Sequence, residues 1–406
     1  MKPSLVAGLM PLLMTLGIQA LVSMASLTPP VLAPVAAAEI GMPVSMIGLF
    51  VGLVYIGSML SSLGSGDLIK RFGAIRVSQF CLILCASGLA LATIGVPWAI
   101  VLGALLIGFG YGPVTPASSH VLARTTPAKR MGVVFSLKQT GVPLGGMMAG
   151  ALVPTMVLLA GWRGAACAVA LFCVAMTVVT QAIRMELDAD RDSSRRISLS
   201  GALGPLRMVF AYKPIRDLAI CSFFFSAMQL CLTTFLVTYL TKEFGFPLIT
   251  AGLVLSVAQA AGIVGRLLWG WVADHWIAPR VLLSLLALGM GSCALLLAIF
   301  AHGWSFAWVL VLGATFGGMA IGWNGVYLAE IARLAPAGQA GTITGGALFL
   351  TYAGVVAGPP LFVGIVSLTG EHASGFVVFG TTIMLIGLML MFTRLQRTDS
   401  PIDRKV

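Results

Sequence analysis

Two basic residues stand inside long apolar stretches of this 406-residue chain: Lys138 in VVFSLKQTGVPLGG and Arg266 in GRLLWGWVAD. No acid lies at comparable depth along the apolar stretches. A desolvated cation without a counter-charge is poorly satisfied, and an anion that arrives and leaves would satisfy it. The planar fork of arginine suits a carboxylate in particular. The chemistry these residues suggest is therefore the gripping of a small organic anion. Arg266 precedes Asp274 by eight residues, and Lys138 follows Arg130 by eight. Eight helical residues cover about 12 Å, against about 15 Å for half a hydrocarbon core. Lys138 leans toward the start of its stretch and could snorkel to the surface. Its shared face with Gly141 and Gly145 instead marks a helix–helix contact. Arg266 leans the other way and cannot easily snorkel inward; its alternative role is a structural hydrogen bond to backbone carbonyls.

Polar and aromatic residues at helical spacing complete a candidate pocket. Gln259 lies seven residues before Arg266 and shares its face. Gln19, Ser23 and Ser26 follow one face of the first stretch, and Tyr55, Trp323, Asn324, Tyr327 and Tyr352 offer rings and amides. Pockets for small molecules are typically mostly apolar with a few fixed polar groups. Nothing points to catalysis. All seven cysteines fall in apolar runs; Cys81 and Cys85 share a face, but no histidine or acid stands near them in sequence. The four histidines are scattered. No catalytic residue, metal site or cofactor is expected, and the chain does not read as an enzyme.

These residues must be held by membrane helices. The chain is 59% hydrophobic and only 9% charged, a composition of membrane spans. Breaks at charges, prolines and glycines leave twelve candidate spans: 5–34, 43–66, 76–96, 97–121, 132–158, 163–184, 215–240, 249–272, 279–301, 304–329, 340–366 and 373–395. The first resembles a secretory signal, but its apolar run is too long and continues past Pro29 and Pro30, so it reads as a retained span. The net charge of +11 is distributed by topology and needs no nucleic acid. One set of turns carries only Arg163 and Lys242. The other carries Lys70, Arg71, Arg76, Arg124, Lys129, Arg130, the 184–216 segment and the C-terminal tail. The asymmetry puts both termini and the central loop in the cytoplasm, across an inner membrane. The expected divisions are a six-helix bundle over 1–184, a linker over 185–214, a second bundle over 215–396 and a tail over 397–406.

The halves repeat. EIGMP at 39–43 returns as EFGFP at 243–247, and at the same offset of 204 Gly66 meets Gly270 and Arg76 meets Arg280. Later the offset drifts: Gly108 and Gly112 match Gly318 and Gly322, and Gly141 and Gly145 match Gly354 and Gly358. Two six-helix halves of one orientation are parallel repeats of a transporter. GDLIKRFGAIRV (66–77) aligns with GWVADHWIAPRV (270–281). With the twelve spans, this pair of loops resembles the major facilitator superfamily, whose signature there is Gly-x-x-x-Asp-Arg-x-Gly-Arg. In the first copy Gly66, Arg71, Gly73 and Arg76 match, while Lys70 replaces the acid and Asp67 is a candidate stand-in one turn earlier. In the second, Gly270, Asp274 and Arg280 match and Ile277 replaces the later glycine. The resemblance implies a cytoplasmic latch, in which the acid meets bases and a helix N-terminus of the other half. Arg124, Glu330 and Arg333 lie at the same end.

The resemblance also sharpens Arg266. It is similar to an arginine that binds the substrate carboxylate in the oxalate:formate antiporter and monocarboxylate transporter type, eight residues before the signature acid, and it implies that Lys138 stands opposite. Gly262 occupies the place of an acid found in the monocarboxylate type, which weakens proton symport through a protein carboxylate. The expected function is secondary transport of mono- or dicarboxylates by alternating access, with proton symport or anion exchange open, by a monomer whose partners are the anion, protons and membrane lipid. One alternative is export of hydrophobic drugs or metabolites by proton antiport, for which no embedded acid is visible. A second is a lipid flippase or membrane sensor on the same scaffold.

Overall fold

The computed structural model describes residues 5–42, 47–194, 203–299 and 304–392; the expected tail 397–406 and part of the 185–214 linker lie outside them. All described elements are helices: α1 (Leu5–Ile40), α2 (Ile47–Phe72), α3 (Ala74–Ala92), α4 (Pro97–Tyr111), α5 (Val114–Thr125), α6 (Met131–Gln139), α7 (Gly141–Leu187), α8 (Gly204–Ala211), α9 (Lys213–Glu243), α10 (Leu248–His275), α11 (Pro279–Ile299), α12 (Phe306–Ala320), α13 (Asn324–Leu334), α14 (Ala340–Thr369) and α15 (His372–Phe392). Among the described residues, eleven stretches are long and apolar enough to cross a membrane, one of them running 60 residues from Ala128 to Leu187. The 47 residues of α7 would extend about 70 Å, more than twice a hydrocarbon core of about 30 Å. Gly161 divides them: its φ of 68° and ψ of 175° interrupt the helix, a left-handed backbone that favours glycine.

Three expected spans are broken midway. The fourth splits into α4 and α5 at Gly112-Pro113, the fifth into α6 and α7 at Thr140, and the tenth into α12 and α13 at residues 321–323. The linker also holds a short helix, α8, which sequence polarity had concealed. It packs on α14, where a Cβ at Gly346 would stand 2.6 Å from the Pro205 carbonyl oxygen.

Two apolar cores result. One runs from Ile18 to Leu187 within the first half. The other gathers the second half and takes in Leu12, Leu122, Met131 and Phe135 from the first. Within the second half α9 packs on α14, α10 on α12 and α11 on α15; across the halves α2 and α5 meet α14, and α6 meets α10 and α13.

The junction of α2 and α3 shows how one end is built. Gly73, at φ 94°, turns the chain, and the Asp188 carboxylate accepts the N–H groups of Ile75 at 2.8 Å and Arg76 at 3.0 Å. Burial pushes this carboxyl up, against the downward pull of the two N–H donors. Asp190 takes the next turn's bases, accepting from Arg124 and lying 2.7 Å from His120 Nε2. Asp188 and Asp190 of the linker thus fasten α3 and α5. At the opposite end Glu39 accepts from Trp162 Nε1 at 2.6 Å and pairs with Arg163, tying α1 to the second part of α7.

Asp188→Ala is expected to destabilise the solubilised protein by about 2 kcal/mol, the cost of stranding buried donors. A thermal-unfolding series should show a lowered midpoint, and an unchanged midpoint would remove the cap from the account of this end.

Candidate functional site

A cavity of about 680 Å³, counting the space at its mouth, lies between the halves. Tyr55, Tyr111, Thr115, Gln139 and Val142 line it from the first half. Ser226, Gln229, Leu230, Arg266, Asn324, Leu348, Thr351, Tyr352 and Val355 line it from the second. Arg266 is the one charged side chain among them. It is 3% exposed, and its Nε–H donates to the Ile321 carbonyl at 3.1 Å while Nη1 donates to the Gln139 carbonyl at 2.6 Å.

Those acceptors are products of the breaks in the helices. A carbonyl in a helix normally receives the N–H four residues later, but the residue four after Gln139 is Pro143, which has no N–H. GVPLGG therefore leaves the Gln139 carbonyl to accept from outside its own helix. Ile321 lies in the gap between α12 and α13, and the residue that the sequence offset of Gly108 and Gly318 matches to it is Tyr111, at the end of α4. The bond from Arg266 to Gln139 joins the two halves across the cavity wall.

Lys138 is 1% exposed and does not reach the surface. Its Nζ donates to Gln19 Oε1 at 2.8 Å, Gln139 Oε1 at 3.0 Å and Thr115 Oγ1 at 3.2 Å. Three donors meet three neutral acceptors. The ammonium therefore sits one layer behind the cavity, with Gln139 and Thr115 between it and the open space. Gln19 belongs to this cluster and not to the lining.

The remaining expected residues divide. Tyr55 and Tyr352 line the cavity with Tyr111, each ring 6.2–6.4 Å from the other two. Asn324 lines it as well. Trp323 and Tyr327 are buried in packing, Trp323 edge-on to Phe225 at 5.1 Å and 5.3 Å from Tyr327. Gln259 shares the helix of Arg266 but is exposed and outside the lining. Sequence reasoning missed Tyr111, Gln139 and Gln229. Tyr111 had a signal in its position between Gly108 and Gly112 at the centre of the glycine repeat; Gln229 had none beyond lying on an apolar helix.

At the end that carries the paired loops, Asp274 Oδ1 accepts the Gly132 N–H at 2.8 Å and Oδ2 the Val133 N–H at 2.8 Å. A carboxylate thus caps the N-terminus of α6 from the other half, where the helix dipole favours negative charge. Arg333 stands 3.8 Å from Asp274 and 2.8 Å from Glu330. The contact is close because Gly270 and Gly132 lack side chains: a Cβ on Gly270 would come 2.6 Å from the Gly132 oxygen. Ser136 is packed against Gly270 and Gly325. In the other copy Gly66 abuts Thr342, where a Cβ would fall 2.7 Å from the Thr342 Cα. Asp67 is half-buried beside it, Arg71 lies over the Phe72 ring at 5.4 Å, and the Lys70 carbonyl accepts the Asp192 N–H at 2.8 Å. Two expected latch residues are used elsewhere. Arg76 offers its backbone to Asp188, and Arg280 is buried within the second half, bonded to Asp217 at 3.0 Å and the Leu390 carbonyl at 3.3 Å.

An all-helical bundle with a cavity at mid-span and a glycine-lined closure at one end defines a membrane transporter rather than an enzyme. The chain belongs to the Major Facilitator Superfamily, whose pattern it matches over residues 14–359. It is 24% identical over 374 residues to a gentisate transporter of Corynebacterium glutamicum, covering 87% of this chain and 78% of that protein. It is 24% identical over 393 residues to a benzoate transport protein of Acinetobacter baylyi, covering 88% and 81%. Among solved structures it resembles FucP in the outward conformation, with a TM-score of 0.75 and 18% identity over 95% of this chain and 99% of that one.

Asp274→Asn should loosen the closed end. With the seven native cysteines replaced and Ser136→Cys as reporter, labelling by an impermeant maleimide from that side is expected to rise several-fold. Equal labelling with and without the carboxylate would mean that it does not hold the contact.

Proposed function

We propose that the protein is a secondary transporter of small organic anions, aromatic carboxylates foremost, working by alternating access of two six-helix repeats. The observation that carries this reading is Arg266, a single guanidinium in the lining of a cavity whose neighbours include three mutually packed tyrosines. The fork takes a carboxylate, and the tyrosine faces and edges take a flat ring. The named substrates of the gentisate and benzoate relatives are ring carboxylates and support the same class.

Arg266 is held by two neutral carbonyls. A carboxylate competes well for it, because hydrogen bonds between two charged groups are roughly twice as strong as neutral ones. Taking Nη1 from Gln139 removes a bond between the halves and replaces it with one to the ligand, which gives binding a means to bias the rocking motion. Lys138 adds positive potential from behind the wall and fixes Gln139 and Thr115. The described contacts between halves cluster at the Asp274 end, and the excess of bases at that end supports a cytoplasmic assignment in an inner membrane. On that assignment the structure corresponds to an outward-open state, with Asp274, Gly270, Gly132 and Gly66 as the latch.

Arg266→Ala is expected to abolish uptake of benzoate-type acids into proteoliposomes while the protein still elutes as a monodisperse species. Normal uptake by this variant would overturn the reading. Replacing Tyr352 with Leu should weaken aromatic acids about three- to ten-fold and leave short aliphatic acids unchanged, measured by the ligand-induced rise in thermal midpoint.

A further inference from the structure

The cavity holds a second polar feature that a carboxylate satisfies only in part. Gln229 Oε1 accepts from Trp323 Nε1–H at 3.1 Å and from Asn324 Nδ2–H at 3.2 Å. The orientation of both amides follows from the indole, which can only donate. Trp323 therefore requires the oxygen of Gln229, and that oxygen in turn requires the NH₂ of Asn324. Two groups are left over: the Gln229 Nε2–H donors and the Asn324 Oδ1 acceptor. Neither has a hydrogen-bond partner among the described residues, and both residues line the cavity. Trp323 is itself 1% exposed and pinned against Phe225, so the pair is preset rather than adaptable.

A donor and an acceptor side by side match a group that both accepts and donates. A carboxylate has acceptors only and is repelled by Asn324 Oδ1; a bare ring edge satisfies neither group. A phenolic hydroxyl satisfies both, accepting from Gln229 and donating to Asn324. We propose that Gln229 and Asn324 read a hydroxyl on the ring of the substrate, so that the preferred cargo is a hydroxylated aromatic acid. This rests on the reading of Arg266 as the carboxylate site. Asn324 stands three residues beyond Ile321, whose carbonyl holds Arg266, so the hydroxyl reader and the carboxylate grip share one stretch of broken helix.

The test uses full-length purified protein and measures Kd for benzoate and for its 2-, 3- and 4-hydroxy derivatives by calorimetry. At least one hydroxylated acid should bind about ten-fold more tightly than benzoate. Asn324→Ala, which leaves the Trp323–Gln229 bond in place, should bring that ratio close to one by weakening only the hydroxylated acid. Gln229→Met should do the same, and the retained benzoate affinity shows that each variant is folded. Equal affinities in the wild type would overturn the hydroxyl reading while leaving the anion site standing. A loss of benzoate and hydroxybenzoate in parallel in both variants would overturn it too, because the pair would then serve the carboxylate or the packing. If the wild type binds none of the four acids, the Arg266 reading itself fails, and this one with it.

Discussion

The constraint on which this structure depends is the cost of a guanidinium inside an apolar slab. Arg266 has no acid within reach among the described residues, yet its donors must be met. Backbone carbonyls meet them, and an unbroken helix has none to spare. The breaks supply the deficit: Pro143 frees the carbonyl of Gln139, and the gap between α12 and α13 presents that of Ile321. The prolines and glycines that look like interruptions of a membrane span are thus the means by which a cation is kept at mid-depth. Neutral acceptors hold it without cancelling its charge, so the site stays attractive to an anion.

The same economy shapes the closed end. Helices α6 and α10 approach until a single methyl group would collide, and the carboxylate of Asp274 then meets two backbone donors that no helix bond uses. The two loops that align in sequence are held in different ways. Where the second half uses its own Asp274, the first half has Lys70 at the matching place, and acids from the linker, Asp188 and Asp190, do the fastening around α3 and α5. The capping of α3 is internal to the first half, whereas the capping of α6 crosses between halves, so the two acids are not equivalent in what their loss would release.

Much of this is legible in the sequence. Apolar length gave the spans, and the rarity of charge at depth picked out Arg266 and Lys138. Periodicity could name a helix face but not how far a face stands from its neighbour. Gln259 lies on the face of Arg266 yet falls outside the lining, and Trp323 and Tyr327 turn into packing beside Asn324, which does not. That Lys138 sits behind Gln139 depends on α6 ending at Thr140, a local break that composition alone does not locate. Gln229 escaped because a glutamine in an apolar run carries no spacing signal, and Tyr111 because the glycines that flank it mark matched positions in the two halves and not a pocket. Arg280 matched a motif and is used for another purpose, holding α11 against α9 and α15. Motif position fixes the backbone site, while the partner is fixed by whichever acid folding brings near, here Asp217.

One consequence follows from Gly161. Between the residue that holds Arg266 and the linker acid that caps α3 there is no slack loop, only 47 residues of helix bent at a single glycine. Tilt imposed on the part of α7 that follows Pro143 is taken up at Pro154, where a helix hydrogen bond is missing, or at the dihedral angles of Gly161, and what remains is passed on to residues 162–187. Those residues pack on α3 and lead directly into Asp188. The first half is in this sense a crank with a stiff elbow, and a disturbance at the centre of the protein is delivered to its far corner along the chain itself.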